Sequence, residues 1–152
     1  MEREFLEDYK VGEKFISQAR TVTETDIVSF AALTGDWSPL HTNMEYAKNT
    51  IFKERIAHGM LILAIGTALG LQLGQYVMVP KSFIAFYGMD NVRFINPVRI
   101  GDTIHCEAEV SEMGKKGKDR GILGYSVHIK NQRGEDVAVL SINFLCGRGK
   151  LQ

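Results

Sequence analysis

The chain is short of residues that staple or interrupt a fold: 152 residues hold two cysteines, three prolines and one tryptophan. Two thiols make no disulfide framework at this length. Cys106 and Cys146 lie in strand-like runs without metal or redox spacing, so both are expected to pack as reduced thiols. A charge excess is missing too, since 18 basic and 18 acidic side chains cancel. Binders of nucleic acid or anionic membranes normally carry a basic excess or stripe, so neither partner is expected. No low-complexity tract appears, and 45% hydrophobic residues argue against disorder. Met1-Glu2-Arg3-Glu4 is charged and leads into no apolar run, so no secretory signal is expected and the cytoplasm is the expected location. The length suits one domain over residues 1–152.

One stretch tests the exclusion of membranes. From Ile56 to Pro80 there is no Asp, Glu, Lys or Arg, and Gly66, Gly70 and Gly74 recur at four-residue spacing. Such spacing can mark a transmembrane packing face. However, His58, Gln72 and Gln75 interrupt the window, and the continuous apolar run from Met60 to Leu71 is too short to span a bilayer. A helix apolar on all sides is otherwise a core helix. Its glycines would then let it approach a surrounding sheet closely.

The remaining pattern predicts a strand near Lys14–Val22, then a helix opened by Thr23-Glu24-Thr25-Asp26 and ended by Gly35. Residues 36–42 read as a loop because Pro39 disfavours the helical basin for Ser38. Asn43 is placed to cap a short helix through Ala47 or Lys48, and the apolar helix begins near Gly59. After Pro80 come four strands: Ile84–Arg93, about 104–111, about 121–131 and Val137–Leu145. Ile104, Cys106, Ala108 and Val110 alternate with His105, Glu107, Glu109 and Ser111, the period of a half-buried strand. Helices early and strands late indicate an α+β protein with an antiparallel sheet curved around the apolar helix.

Chemistry concentrates around the loops flanking that helix. Asp36 and His41, five residues apart across Pro39, can face one pocket, and a carboxylate and an imidazole sharing a water suit general acid–base work. Gly59 opens the helix, so its N–H is an unpaired donor at the positive end of the dipole, suited to a carbonyl oxygen gaining charge. Plainer readings exist: Gly35-Asp36-Trp37-Ser38-Pro39 is also ordinary turn chemistry, and His41 or His58 could be polar loop residues. Asp36, His41 and His58 could ligate a metal, but their spacing matches no standard signature and no metal is expected. Lys115-Lys116-Gly117-Lys118 reads as a solvated hairpin tip, with phosphate contact the alternative, and His105 and His128 read as solvent-facing or interfacial.

Thr34-Gly35-Asp36-Trp37-Ser38-Pro39-Leu40-His41, then Ala47, then Ala57-His58-Gly59-Met60-Leu61, resembles the signature of the MaoC-like dehydratases, the (R)-specific enoyl-CoA hydratases. Val92-Arg93-Phe94-Ile95-Asn96-Pro97-Val98 with Gly101-Asp102-Thr103 resembles the family's second block. The resemblance implies a hot-dog fold, a long helix wrapped by a curved antiparallel sheet, paired as a homodimer or dimer of dimers. It implies syn addition of water to a trans-2-enoyl thioester, or the reverse. No cofactor is implied beyond the coenzyme A or acyl carrier of the substrate itself. Asp36 and His41 match the catalytic pair, with Asp36 as main proton acceptor and donor. Gly59 matches the oxyanion N–H, and Ser38 and His58 are expected to line the substrate site. Three positions depart from the family's pattern: Ser38 where Asn is common, Ala64 where a hydroxyl residue is frequent, and Asn43 where Asp is usual. A non-catalytic acyl-CoA-binding subunit and a hot-dog thioesterase are the alternatives.

Overall fold

The structure, a computed structural model, describes residues 2–149. A 3₁₀ turn at Leu6–Asp8 precedes β1 (Lys14–Ile16) and β2 (Arg20–Thr21). Helices α1 (Glu24–Thr34), α2 (Pro39–Thr42), α3 (Met44–Ala47) and α4 (Gly59–Leu71) follow. The chain then runs through β3 (Phe83–Phe94), β4 (Thr103–Lys115), β5 (Arg120–Lys130) and β6 (Asp136–Gly147). The strands pair antiparallel in the order β1-β4-β5-β6-β3, with β2 also on β4. This is the expected α+β, hot-dog arrangement.

Alternation sets the inner face. Ile104, Cys106, Ala108 and Val110 of β4 are buried, as are Leu123, Tyr125, Val127 and Ile129 of β5. Against them α4 buries Leu61, Ile62, Leu63, Ile65 and Leu69, each worth about 1.5–3 kcal/mol of transfer free energy. Two of the three spaced glycines bring helix and sheet together. A Cβ on Gly66 would lie 2.3 Å from Ile129 Cδ1 of β5, and one on Gly70 would lie 3.4 Å from Cys106 Sγ of β4. Gly74 does not belong to this set. It falls after the helix, in a turn at φ +146°.

Three further expectations need correction. The helix is not covered all round: Met60 is 61% and Leu71 43% exposed, because the sheet of this one chain covers a single side. The first strand is broken, since Ser17–Ala19 leave the ladder while Ser17 Oγ accepts the Cys106 N–H. Residues 36–42 are not all loop, because Pro39 takes the first helical position of α2, where its missing N–H costs nothing. At 13 residues α4 is about 20 Å long. No helix among the described residues is long and apolar enough to cross a membrane.

Candidate active site

The site begins where α1 stops. Thr23 accepts the Asp26 N–H in a reciprocal capping box at one end of α1, and Gly35 ends it at φ +81°. Asp36 comes next and folds back locally: its Oδ1 accepts the Ser38 hydroxyl and, at 3.2 Å, the Ser38 N–H. These two bonds hold the Asp36 carboxyl below the usual carboxylate range. Ser38 therefore spends both donors on Asp36. It supports the carboxylate and is not among the residues that wall the cavity beside His41.

His41 sits on α2, the single turn that Pro39 opens. Its Nδ1 lies 2.7 Å from the Ile56 carbonyl oxygen. A carbonyl only accepts, so Nδ1 carries the proton and the neutral ring presents Nε2 as a lone pair. The segment supplying that carbonyl is itself fixed. Ala57 N–H donates to Val98 O at 2.7 Å, Ile56 bridges to Arg99, and Arg99 Nη1 donates to Phe52 O at 3.1 Å.

His58 is 2% exposed. Its Nε2 lies 2.9 Å from the Asp36 carbonyl, and its ring stacks on His41 with centroids 3.9 Å apart. Phe30 packs at 4.9 Å. Buried beneath His41 in this way, His58 is not among the residues that wall the cavity beside His41. Its Nδ1 is buried and finds no partner among the described residues, a cost of about 1–3 kcal/mol.

Gly59 is the first residue of α4, and its N–H finds no acceptor among the described residues. It opens, with His41, onto a cavity of about 290 Å³ walled by Phe52, Ile56, Phe94, Ile95, Val98 and Val137. Asp36, His41 and His58 each place one potential donor atom within 4.8 Å of the others. An imidazole binds a metal in its ring plane. Two rings stacked 3.9 Å apart at 27° aim their lone pairs side by side instead of at one point, so the trio fits a metal poorly.

The other singled-out groups lie in separate pairings. His105 pairs with Glu107, His128 with Asp136, and Lys116 Nζ sits 4.0 Å from the Tyr87 ring centroid. Two features escaped sequence reading: the Ile56 carbonyl as the partner of His41, and Arg99 as the clamp on its segment. A main-chain acceptor leaves no residue-type signal.

A family model described as a MaoC like domain matches residues 8–131. An (R)-specific enoyl-CoA hydratase from Rhodospirillum rubrum is 41% identical over 107 residues, covering 70% of this chain and 69% of the relative. Protein MaoC from Klebsiella aerogenes is 39% identical over 102 residues, which are 67% of this chain but only 29% of that protein. The X-ray structure of a monoamine oxidase regulatory protein from Archaeoglobus fulgidus superposes with a TM-score of 0.92. It is 44% identical and covers 98% of this chain and 97% of its own.

Proposed function

Because this chain belongs to the MaoC-like domain family, we propose that it is a hydratase–dehydratase of acyl thioesters, adding water syn to a trans-2-enoyl thioester to give the (R)-3-hydroxyacyl product, or reversing that step. The observation that carries this reading is the Asp36 carboxylate within 4.8 Å of the His41 imidazole, which itself opens together with Gly59, the first residue of α4, onto one apolar cavity. The names of the relatives, among them a 3-hydroxybutyryl-CoA dehydratase from Methylorubrum extorquens 35% identical over 109 residues, point to the same substrate class.

The geometry suggests how the proton moves. A water hydrogen-bonded at about 2.8 Å to two acceptors near the tetrahedral angle holds them roughly 4.6 Å apart. Asp36 and His41 lie within such a span. In the hydration direction His41 Nε2 takes one proton of that water, while ionised Asp36 accepts the other hydrogen and orients the oxygen. The oxygen attacks Cβ, and the electron pair of the double bond moves toward the thioester oxygen, which the Gly59 N–H receives. The imidazolium then returns its proton to Cα from the same face, so addition is syn and His41 is restored. This division reverses the one read from sequence. Ser38 lowers the basicity of Asp36, whereas the Ile56 carbonyl leaves His41 Nε2 as the free acceptor.

The acyl group would be carried by coenzyme A or an acyl-carrier protein and would need no further cofactor. The cytosol suits two buried free thiols. A homodimer belongs to the same reading, supported by β3. This edge strand leaves Phe83, Ile84, Phe86, Tyr87 and Phe94 each 42–51% exposed, an apolar edge that pairing with a second copy would cover. Purified protein mixed with crotonyl-CoA and longer enoyl-CoAs tests the reaction. Loss of the enoyl absorbance without thiol release is expected. Thiol release would instead identify a thioesterase, and binding without turnover a non-catalytic subunit.

A further inference from the structure

We propose that His58 is a positioning residue, a buried strut that ties Asp36 to His41; the inference rests on the hydratase reading above. The His58 side chain touches both members of the pair. Its Nε2–H donates to the Asp36 carbonyl at 2.9 Å, and the face of its ring lies against His41, 3.9 Å between centroids and 27° between planes. Phe30 holds it at 4.9 Å. His58 also directly precedes Gly59, so one residue registers the carboxylate, the imidazole and the first N–H of α4 against each other.

The stranded Nδ1 argues against a purely structural role. A buried ring that only filled space would be better served by carbon, which leaves no polar atom unpaired. Retaining an imidazole sacrifices stability for two things an apolar ring lacks together: a donor to the Asp36 main chain and a flat polar platform for His41. Stability and turnover should therefore respond to its loss in opposite directions.

Two variants separate these tasks. His58→Phe keeps a flat ring against His41 but removes both the donor and the unpaired nitrogen. His58→Gln keeps an amide N–H near the Nε2 position but removes the flat face. For His58→Phe we expect a melting temperature at or above that of the parent, kcat on crotonyl-CoA lower by about 10²-fold, and KM within about threefold. For His58→Gln we expect kcat between the two. Histidine ¹⁵N spectra give a readout independent of turnover. The parent should show His41 protonated at Nδ1 only, and both variants should mix its tautomers. A less stable His58→Phe with parental kcat would overturn the proposal. If His58→Phe does not fold, His58→Gln carries the kinetic and spectroscopic tests. If the parent turns over no enoyl thioester, the hydratase reading falls and the spectra alone decide the strut. Unchanged His41 signals in either folded variant then reject it, and mixed tautomers support it.

Discussion

His41 Nδ1 sits 2.7 Å from the Ile56 carbonyl oxygen, and that contact, with the His58 ring stacked beneath His41, sets which nitrogen of His41 is left free. An isolated imidazole exchanges its proton between two nitrogens. Here the acceptor is a main-chain oxygen held by the Ile56–Arg99 bridge and by Ala57 N–H on Val98 O. The free nitrogen of His41 thus depends on backbone geometry fifteen residues away in sequence.

Asp36→Asn and His41→Ala should each lower hydration kcat by about 10²–10⁴-fold. Circular dichroism should show an unchanged fold, because Asp36 is exposed and His41 only partly buried. Near-parental kcat in either variant removes that residue from the acid–base pair.

Ser38→Ala should raise the Asp36 titration midpoint toward the ordinary carboxylate value, because the Ser38 hydroxyl is the largest contributor to its depression. The sign follows from linkage. A carboxyl with a lowered folded-state value stabilises the fold above its unfolded value, and that contribution fades as pH falls through the lowered one. Carboxyl ¹³C titration of Asp36 measures it, and no upward movement would refute the coupling. Since Asp36 stays ionised near neutrality either way, Ser38→Ala should lose less turnover than Asp36→Asn.

At Gly59, two substitutions separate bulk from hydrogen bonding. A Cβ there meets the Phe94 ring at 3.0 Å, and Phe94 is half-exposed and free to swing. Gly59→Ala should therefore mainly disturb KM. Gly59→Pro adds the same carbon but deletes the N–H, and should cost a further ~10²–10³ in kcat. Equal kcat for the two variants would exclude the oxyanion role.

Light scattering should give twice the 17.0 kDa chain mass at micromolar concentration. Ile84→Lys, which charges a half-exposed position on β3, should shift the mass toward one chain. A parent protein running at one chain mass would reject the dimer.

Gly66→Ala tests the helix–sheet approach. Replacing a mid-helix glycine normally gains about 1 kcal/mol, but here the new methyl falls 2.3 Å from Ile129 Cδ1. Overpacking of this kind costs about 1–3 kcal/mol, so urea denaturation should show net destabilisation. Combining it with Ile129→Val, which removes that carbon, should recover part of the loss.

Local signals predicted much of this molecule because they act locally. The Thr23–Asp26 capping box, the Gly35 stop, the Asn43 cap on Tyr46 N–H and the alternation of β4 all depend on residues a few positions apart. Misreadings arose where two rules met at one residue. Pro39 both restricts Ser38 and starts a helix well, and a loop over residues 36–42 follows from the first effect alone. The exposed stripe of α4 was invisible because composition reports that a helix is apolar, not which side a sheet covers. At the candidate site, the closeness of Asp36 to His41 and the place of Gly59 at the start of α4 were legible from residue type and spacing. The support roles of Ser38 and His58 were not, because they depend on which atoms are already engaged.

The place of β6 in the sheet bears on the chain's birth. It lies between β5 and β3, so β3, though made before β4 and β5, has no partner among the described strands until residues 136–147 emerge. At a ribosomal pace of about 5–20 residues/s, the stretch from Phe94 to Gly147 takes roughly 3–10 s. For that interval an aromatic-rich strand waits without a ladder. Val137, which lines the cavity together with Phe94, is delivered with the strand that ends the wait. The closing of the cavity wall and the final pairing of the sheet are therefore one event, and a chain stalled before β6 would hold Asp36 and His41 but no finished cavity.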